Sequence, residues 1–273
     1  MSNIDTGTDH LLASLDDGVA VLTLHRPEAR NAMSGEMNAA LQRCLADFEL
    51  DPAVKVIVLT GAGKGFCAGG DVKGMAASGD GTVGDNTIDG AIHRQRLHQR
   101  ATAGKLFKMP KPTIAALPGA AAGAGLSLAL ACDMRAMASS AIMTTAFARV
   151  GFSGDYGGTY FMTQLVGSAK ARELYYLSER VSAEEALRLG LANWVFEPDE
   201  LMDKTLEIAR RLASGPTVAY RYMKENLNRA MNGEVDDCLD LEATHHVHCG
   251  QTEDHREAAK AFVEKREPQF KGR

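Results

Sequence analysis

Three glycine-dense stretches hold most of the residues able to do chemistry: TGAGKGFCAGGD at 60–71, PGAAAGAG at 118–125 and GFSGDYGGT at 151–159. Glycine lets backbone N–H groups approach a ligand closely. A helix that starts after such a turn adds unsatisfied donors and a partial positive charge. Neither of the first two stretches is a nucleotide-binding loop. GAGKGF lacks the P-loop spacing with its Lys-Ser/Thr pair, and Gly123-Ala-Gly125-Leu-Ser-Leu128 lacks the third glycine of a dinucleotide fingerprint. Gly125-Leu-Ser127-Leu-Ala129 approaches a nucleophile elbow, and the order Ser127, Asp155, later histidine suits a serine hydrolase. The second glycine is missing, however, and no histidine is clearly placed. His245, His246, His248, Cys249 and His255 cluster near the C-terminus, and on a helix His245 would share a face with His248 or Cys249. They show no H-E-x-x-H, so a polar helix end with incidental histidines is the simpler account and no metal is expected. Asp155, in a glycine turn ahead of a helix, is first of all a candidate N-cap.

The elements that must hold these turns alternate. Residues 19–25 (VAVLTLH) read as a strand bounded by Asp17-Gly18 and Pro27. Apolar residues at Met33, Met37, Ala40, Leu41, Cys44, Leu45 and Phe48 have helical spacing, with Ser34 as N-cap. Residues 54–60 (VKVIVLT) form the next strand, which makes a parallel βαβ unit. The polar, glycine-rich 78–90 reads as a mobile loop and 91–109 as one helix. Strands at 113–117 and 134–138 then flank a small-residue helix at 123–131. Ser182-Ala-Glu-Glu185 is a capping box stopped by Gly190. Helices follow at 201–213, 218–231 and 253–270. No internal repeat appears. The expected organisation is an α/β core over 1–200 and a helical region over 201–273.

The chain has 273 residues with 30 basic and 35 acidic side chains. Its size alone lets about three quarters of the unfolded surface be buried. Average apolar and charged fractions exclude disorder, collagen and coiled coil, and the mild acidity argues against nucleic acid as a partner. Five cysteines (an odd number, with no C-x-x-C) make a disulfide framework unexpected. The N-terminal segment has neither the basic cluster nor the apolar stretch of a signal peptide, so the expected location is cytoplasmic. The run 112–132 carries no charge and holds Gly119 and Gly123 at a GxxxG spacing. Pro118-Gly119 divides it, so it reads as strand, turn and buried helix rather than as a membrane span.

Taken in order, these segments resemble the crotonase, or enoyl-CoA hydratase/isomerase, superfamily. The resemblance rests on LHRPEARNA at 24–32, DPAVKVIVLTG at 51–61, GFCAGGD at 65–71, KPTIAALPG at 111–119, GAG at 123–125, LALACD at 128–133, GGT at 157–159 and AFVEKR at 261–266. It implies a ClpP-like fold of repeated ββα turns, homotrimers formed through the helical C-terminal region and paired into hexamers, and acyl-CoA thioesters as substrates without a prosthetic group. It also implies that the backbone N–H groups of Ala68 and Ala124 form an oxyanion hole for a thioester enolate. Coenzyme A would lie against Ala68, Gly69, Gly70, Asp71 and Gly123, with Arg26, Lys64 and Lys265 available to its phosphates.

The sequence departs from the water-adding members, which use two glutamates. Their positions hold Ser127 and Phe147. Asp155 instead stands where the single-aspartate isomerases of the superfamily keep their acting carboxylate, and the phenylacetate-type, ring-opening isomerases are the most similar in motif. The resemblance therefore implies isomerisation with Asp155 as proton shuttle, in an apolar wall drawn from Phe147, Phe152, Tyr156 and Tyr160. The alternatives are an enoyl-CoA hydratase and a non-catalytic acyl-CoA-binding paralogue. His93 and His98, on the helix that lines the acyl pocket in this superfamily, are expected at the surface, and Cys67 as a packed residue.

Overall fold

A computed structural model of the chain describes residues 2–71 and 87–273. Its centre is a seven-stranded sheet in the order β1 (Ser2–Ile4), β2 (Leu11–Asp16), β3 (Val19–Leu24), β4 (Val56–Gly61), β6 (Thr113–Leu117), β8 (Met134–Ala138), β11 (Trp194–Phe196). From β3 to β11 every pair is parallel, while β1 and β2 form an antiparallel edge. The central strands are short continuous apolar runs because both sheet faces are covered. On one face Val19, Val21, Val56, Val58, Ile114 and Ala116 pack with Ala209 and Ala213 of α7 (Leu201–Ala213). On the other, the alternate residues Ala20, Leu22, Ile57, Leu59, Ala115 and Leu117 join the main core beside α1 (Gly35–Leu50). Ser34 caps α1 as expected, its Oγ accepting from Met37 N at 3.1 Å. The 201–273 region thus begins with a helix that seals the sheet.

A second sheet is built from strands too short to read in the sequence: β10 (Val181–Ser182), β9 (Ile142–Thr144), β7 (Ala120–Ala122) and β5 (Gly65–Cys67), in that order. The chain therefore passes from large sheet to small sheet to helix three times among the described residues. The passages are β4–β5 to α2 (Ile88–Ala101), β6–β7 to α4 (Ala124–Ala131), and β8–β9 to α5 (Gly158–Leu177). A parallel bridge between Met33 and Gly70 extends the small sheet toward the turn after β3. The repeat is structural only, since GFC, AAA and IMT share no side-chain pattern.

The uncharged run at 112–132 is core. A Cβ on Gly119 would strike Lys64 O, and one on Gly125 would lie 2.5 Å from Cys67 O and 2.6 Å from Cys67 Cβ. The small residues let two strand-ending turns touch. No helix among the described residues is long and apolar enough to cross a membrane.

Several boundaries differ from the sequence expectation. The helix expected over 91–109 begins at Ile88 and breaks at Thr102 (φ −116°, ψ −88°) into α2 and α3 (Ala103–Lys108), with Thr102 Oγ1 bonding His98 O at 2.7 Å. The loop expected over 78–90 lies outside the described residues up to 86, and its last residues already belong to α2. The tail helix expected to reach 270 stops earlier, as α10 (Glu253–Glu264), because Lys265 turns left-handed (φ 54°). Between them lie α6 (Ala183–Arg188), capped by Ser182, then α8 (Thr217–Ala230) and α9 (Val235–Cys249).

Candidate active site

The two glycine turns meet. Gly69 (φ 94°) follows Ala68, and a Cβ on it would lie 2.9 Å from Ala122 O and 3.3 Å from Ala124 N. Ala124 is the first residue of α4, so its N–H lies outside the helix ladder. Gly123 before it adopts φ 53°, ψ −127°, a backbone region open to glycine alone. The Gly123 N–H is used within the small sheet, donating to Thr144 O at 3.2 Å. The Ala68 N–H donates to Arg30 O at 3.0 Å. Of the two donors expected to face a thioester oxygen, Ala68 therefore has an internal acceptor.

Asn31 pins the Ala68 turn. Fully buried and left-handed (φ 56°), it donates from Nδ2 to Ala62 O (2.9 Å) and Gly65 O (2.8 Å) and accepts from Arg26 N at Oδ1. Every polar atom of its side chain is satisfied, which is what permits its burial. Cys67 packs beneath the turn, and burial pushes its thiol up to about 12, so it is an inert packed residue.

Asp155 is not the cap of α5. The N-cap is Gly157 and no side chain caps it; Gly158 N–H bonds the main-chain oxygen of Asp155 at 3.0 Å. The carboxylate is left over, with Oδ1 buried and without a hydrogen-bond partner. Positive φ at Gly154 (112°), Tyr156 (49°) and Gly157 (76°) holds the turn. Burial raises the carboxyl to about 6. Tyr156, 5% exposed, follows Asp155 in this turn, and its hydroxyl is raised to about 12, first by burial and then by the Asp155 charge.

The wall around Asp155 differs from the one expected. Phe147 is buried under Gly123 and stacks on Tyr175 at 5.9 Å between centroids. Tyr175 replaces Phe152 and Tyr160 in this role. Phe152 is 58% exposed, and Tyr160 turns away to Phe107 and Phe161, its hydroxyl accepting from Asn232 Nδ2 at 2.7 Å. Tyr175 escaped the sequence analysis because it lies 17 residues beyond Gly158. A straight helix would carry it about 25 Å away. Gly167 (φ 76°, ψ 163°) breaks α5, and the second half returns Tyr175 Oη to 2.6 Å from where a Gly158 Cβ would stand.

Two hollows of 460 and 410 Å³ both open onto Ala68 and Arg30. The larger gathers four exposed cations, Arg30, Lys64, Arg149 and Arg180. Among the described residues none of the four is ion-paired.

A model of the enoyl-CoA hydratase/isomerase family matches residues 14–273. The 1,2-epoxyphenylacetyl-CoA isomerase of Escherichia coli K12 is 37% identical over 265 residues, which cover 97% of this chain and 99% of that protein. The short-chain-enoyl-CoA hydratase of Clostridium acetobutylicum is 35% identical over 270 residues, covering 97% and 99%. The crystal structure of an enoyl-CoA hydratase from Bacillus anthracis superimposes with a TM-score of 0.89 at 32% identity, covering 97% of this chain and all of that one. The chain belongs to the enoyl-CoA hydratase/isomerase family.

As a member of this family it is an enzyme of the crotonase superfamily, and several residues named for coenzyme A can now be located. Lys64, Ala68, Gly70 and Asp71 line the two hollows. Gly69 is buried behind them, its O accepting from Met33 N at 2.8 Å. Arg26 lines neither hollow: its Nη1 is held by Asp71 Oδ2 (3.0 Å) and Ala32 O (2.8 Å), so it braces the loop. Lys265 ends α10 and lines neither hollow. Arg149 and Arg180 do line the larger one. Arg149 belongs to the short 147–150 turn and Arg180 precedes β10, and only the tertiary fold sets them opposite Lys64. His93 and His98 are exposed on α2. His245 packs on Tyr222 at 4.3 Å and hydrogen-bonds Asn226, and His248 meets the same ring edge-on, so these histidines serve the α8–α9 contact.

Proposed function

We propose that this enzyme is an acyl-CoA isomerase that moves a double bond or opens a ring by shuttling one proton on Asp155. The observation that carries the proposal is the half-buried Asp155 carboxylate, whose Oδ1 is buried without a hydrogen-bond partner and which burial raises to about 6. At pH 7 such a group is mostly ionised and can take a proton from an activated carbon. Its conjugate acid is strong enough to return that proton elsewhere on the chain. One shuttle is enough for an isomerisation. Hydration needs water activated as well, and Ser127 and Phe147 stand where the superfamily's hydratases carry glutamates.

The enolate formed on the way needs an oxyanion site. We assign it to the N–H of Ala124, with the Ala68 N–H shared between Arg30 O and the thioester oxygen. One such donor is worth about 3–4 kcal/mol in a transition state. The four cations of the larger hollow suit the phosphates of coenzyme A, and nothing in the assignment needs a prosthetic group. The exposed Met223, Leu227, Val235, Leu239, Phe262 and Val263 on α8–α10 support a homotrimer or hexamer built on the helical 201–273 region.

Conjugated, unconjugated and ring-bearing acyl-CoA esters, incubated in deuterated water, test the reading. Isomerisation with exchange is expected, and Asp155→Asn should lower kcat by about 10²–10⁴-fold. Rapid hydration of a conjugated enoyl ester would favour the hydratase reading instead. Binding without turnover or exchange would favour a binding protein.

A further inference from the structure

Two aromatic rings stand between the Ala124 turn and the Asp155 turn. Phe147 lies under Gly123, where an added Cβ would meet its Cε1 at 3.7 Å. Its ring stacks on Tyr175 at 5.9 Å between centroids and 15° between planes. Tyr175 in turn lies against both flanks of Asp155. A Cβ on Gly154 would come within 3.1 Å of Tyr175 Cε1, and one on Gly158 within 2.6 Å of its Oη. The column therefore runs from the residue before Ala124 to the residues on either side of Asp155. It is also anchored. Thr145, 2% exposed, donates from Oγ1 to Leu174 O at 2.8 Å, and Thr144 Oγ1 donates to Ser178 O at 3.1 Å. These bonds, before and after Tyr175 in the chain, tie its backbone to the strand end that carries Phe147. Among the described residues, the titratable side chains that feel the charge of Asp155 are Tyr156 and Tyr175, whose hydroxyls burial raises and so keeps neutral.

We propose that Tyr175 is a positioning residue: through its stack on Phe147 it fixes where the Asp155 carboxylate stands relative to the Ala124 N–H, and it shields that carboxylate from water. The proposal rests on the reading of Asp155 as the proton shuttle, and it adds the side chain that sets the shuttle. Nothing polar aims Asp155 Oδ1, which has no hydrogen-bond partner, so packing must hold the turn. Gly154 and Gly158 have no side chains to do it, and Tyr175 occupies the space theirs would take. Placement matters because an error of about 1 Å between reacting groups can cost about a hundredfold in rate. Shielding matters because a carboxyl against an apolar wall keeps a value from which a proton can be both taken and returned. Both effects belong to the ring rather than to the hydroxyl, since it is the ring that stacks on Phe147 and faces Gly154.

The test is a carboxyl titration by nuclear magnetic resonance on enzyme isotope-labelled at its aspartate carboxyls, with the Asp155 signal assigned by its loss in Asp155→Asn. The wild-type midpoint is expected at about 6. Tyr175→Leu, which removes the ring, should lower it to about 5, toward the ordinary carboxyl value of about 4, because water favours the charged form. Tyr175→Phe should leave it in place. Turnover of 3-hexenoyl-CoA gives a second reading. Tyr175→Leu should lower kcat by about ten- to a hundredfold with KM changed less than about threefold, and Tyr175→Phe should return kcat to within about twofold of wild type. Melting curves establish which variants are folded. Phe147→Leu, which removes the other ring of the stack, supplies the same readings if Tyr175→Leu does not fold. A wild-type midpoint in a folded variant that lacks either ring overturns the proposal, as does a Tyr175→Phe enzyme that behaves like Tyr175→Leu. The titration needs no turnover, so it can fail while Asp155 still shuttles a proton. A fully active Asp155→Asn enzyme would sink the shuttle without moving the midpoint.

Discussion

At the scale of single residues, Asp155 makes two predictions that pull in opposite directions. As a base it works ionised, so the kcat profile of the wild type should rise through about pH 6 and then level. A wild-type profile flat from pH 5 to 8 would remove Asp155 from the chemistry. As a part of the fold the same carboxyl is a burden. Its folded value lies above the ordinary carboxyl value of about 4. Below pH 4 it is protonated in both states and costs nothing. Between 4 and 6 the unfolded chain ionises first, and stability falls as pH rises. Asp155→Asn should therefore melt a few degrees above the wild type at pH 8 and level with it near pH 4. Equal melting points at pH 8 would mean that the carboxylate is better solvated than its burial indicates. The candidacy of Asp155 was readable from its place in GFSGDYGGT. Its freedom from a capping role was not, because that depends on which residue starts α5.

At the scale of elements, the glycine turns position the proposed machinery. A methyl group at 125 would lie 2.5 Å from Cys67 O, so it must push the two turns apart. Gly125→Ala should cost about 1–3 kcal/mol of stability, as overpacking in tight cores does. It should also lower kcat more than it raises KM, because it moves the Ala124 donor. Adding Cys67→Ala should fail to rescue it, since the obstructing atoms include the carbonyl and Cβ of residue 67, which alanine keeps. A full rescue, measured by melting and turnover, would show that the thiol alone was the obstacle. The turns were legible as glycine clusters, and the larger strands as apolar runs. The small sheet was not, because strands of three residues carry no periodicity, and their pairing is set by the turns that feed them.

At the scale of the whole molecule, a partly buried ion pair ties the C-terminal helices to the core. Lys224 on α8, 7% exposed, donates from Nζ to Asp133 Oδ2 (2.9 Å), Leu106 O (2.9 Å) and Lys111 O (3.1 Å). The same carboxylate accepts from Thr113 N and Oγ1. Lys224→Met should destabilise the fold by about 2–3 kcal/mol. This lies below the loss expected for a fully buried pair, because Asp133 is partly solvated and keeps Thr113. Hydrogen exchange should quicken in α8 before it does in β4 or β6. Uniform quickening across the sheet would mean that α8 and the core open as one unit.

The sequence by itself determined the α/β class, the family, the three turns and the absence of both hydratase glutamates, since each is written in residue types at short spacing. Only the tertiary structure decided which of those residues act together. It bound Arg26 to Asp71 and gave the Ala68 N–H an internal acceptor. It also brought Tyr175 back over Gly158 through the break at Gly167. The reason is physical: local preference sets the conformation of a turn. Whether a donor, a cation or a hydroxyl is left free for a ligand depends on what the rest of the chain packs against it.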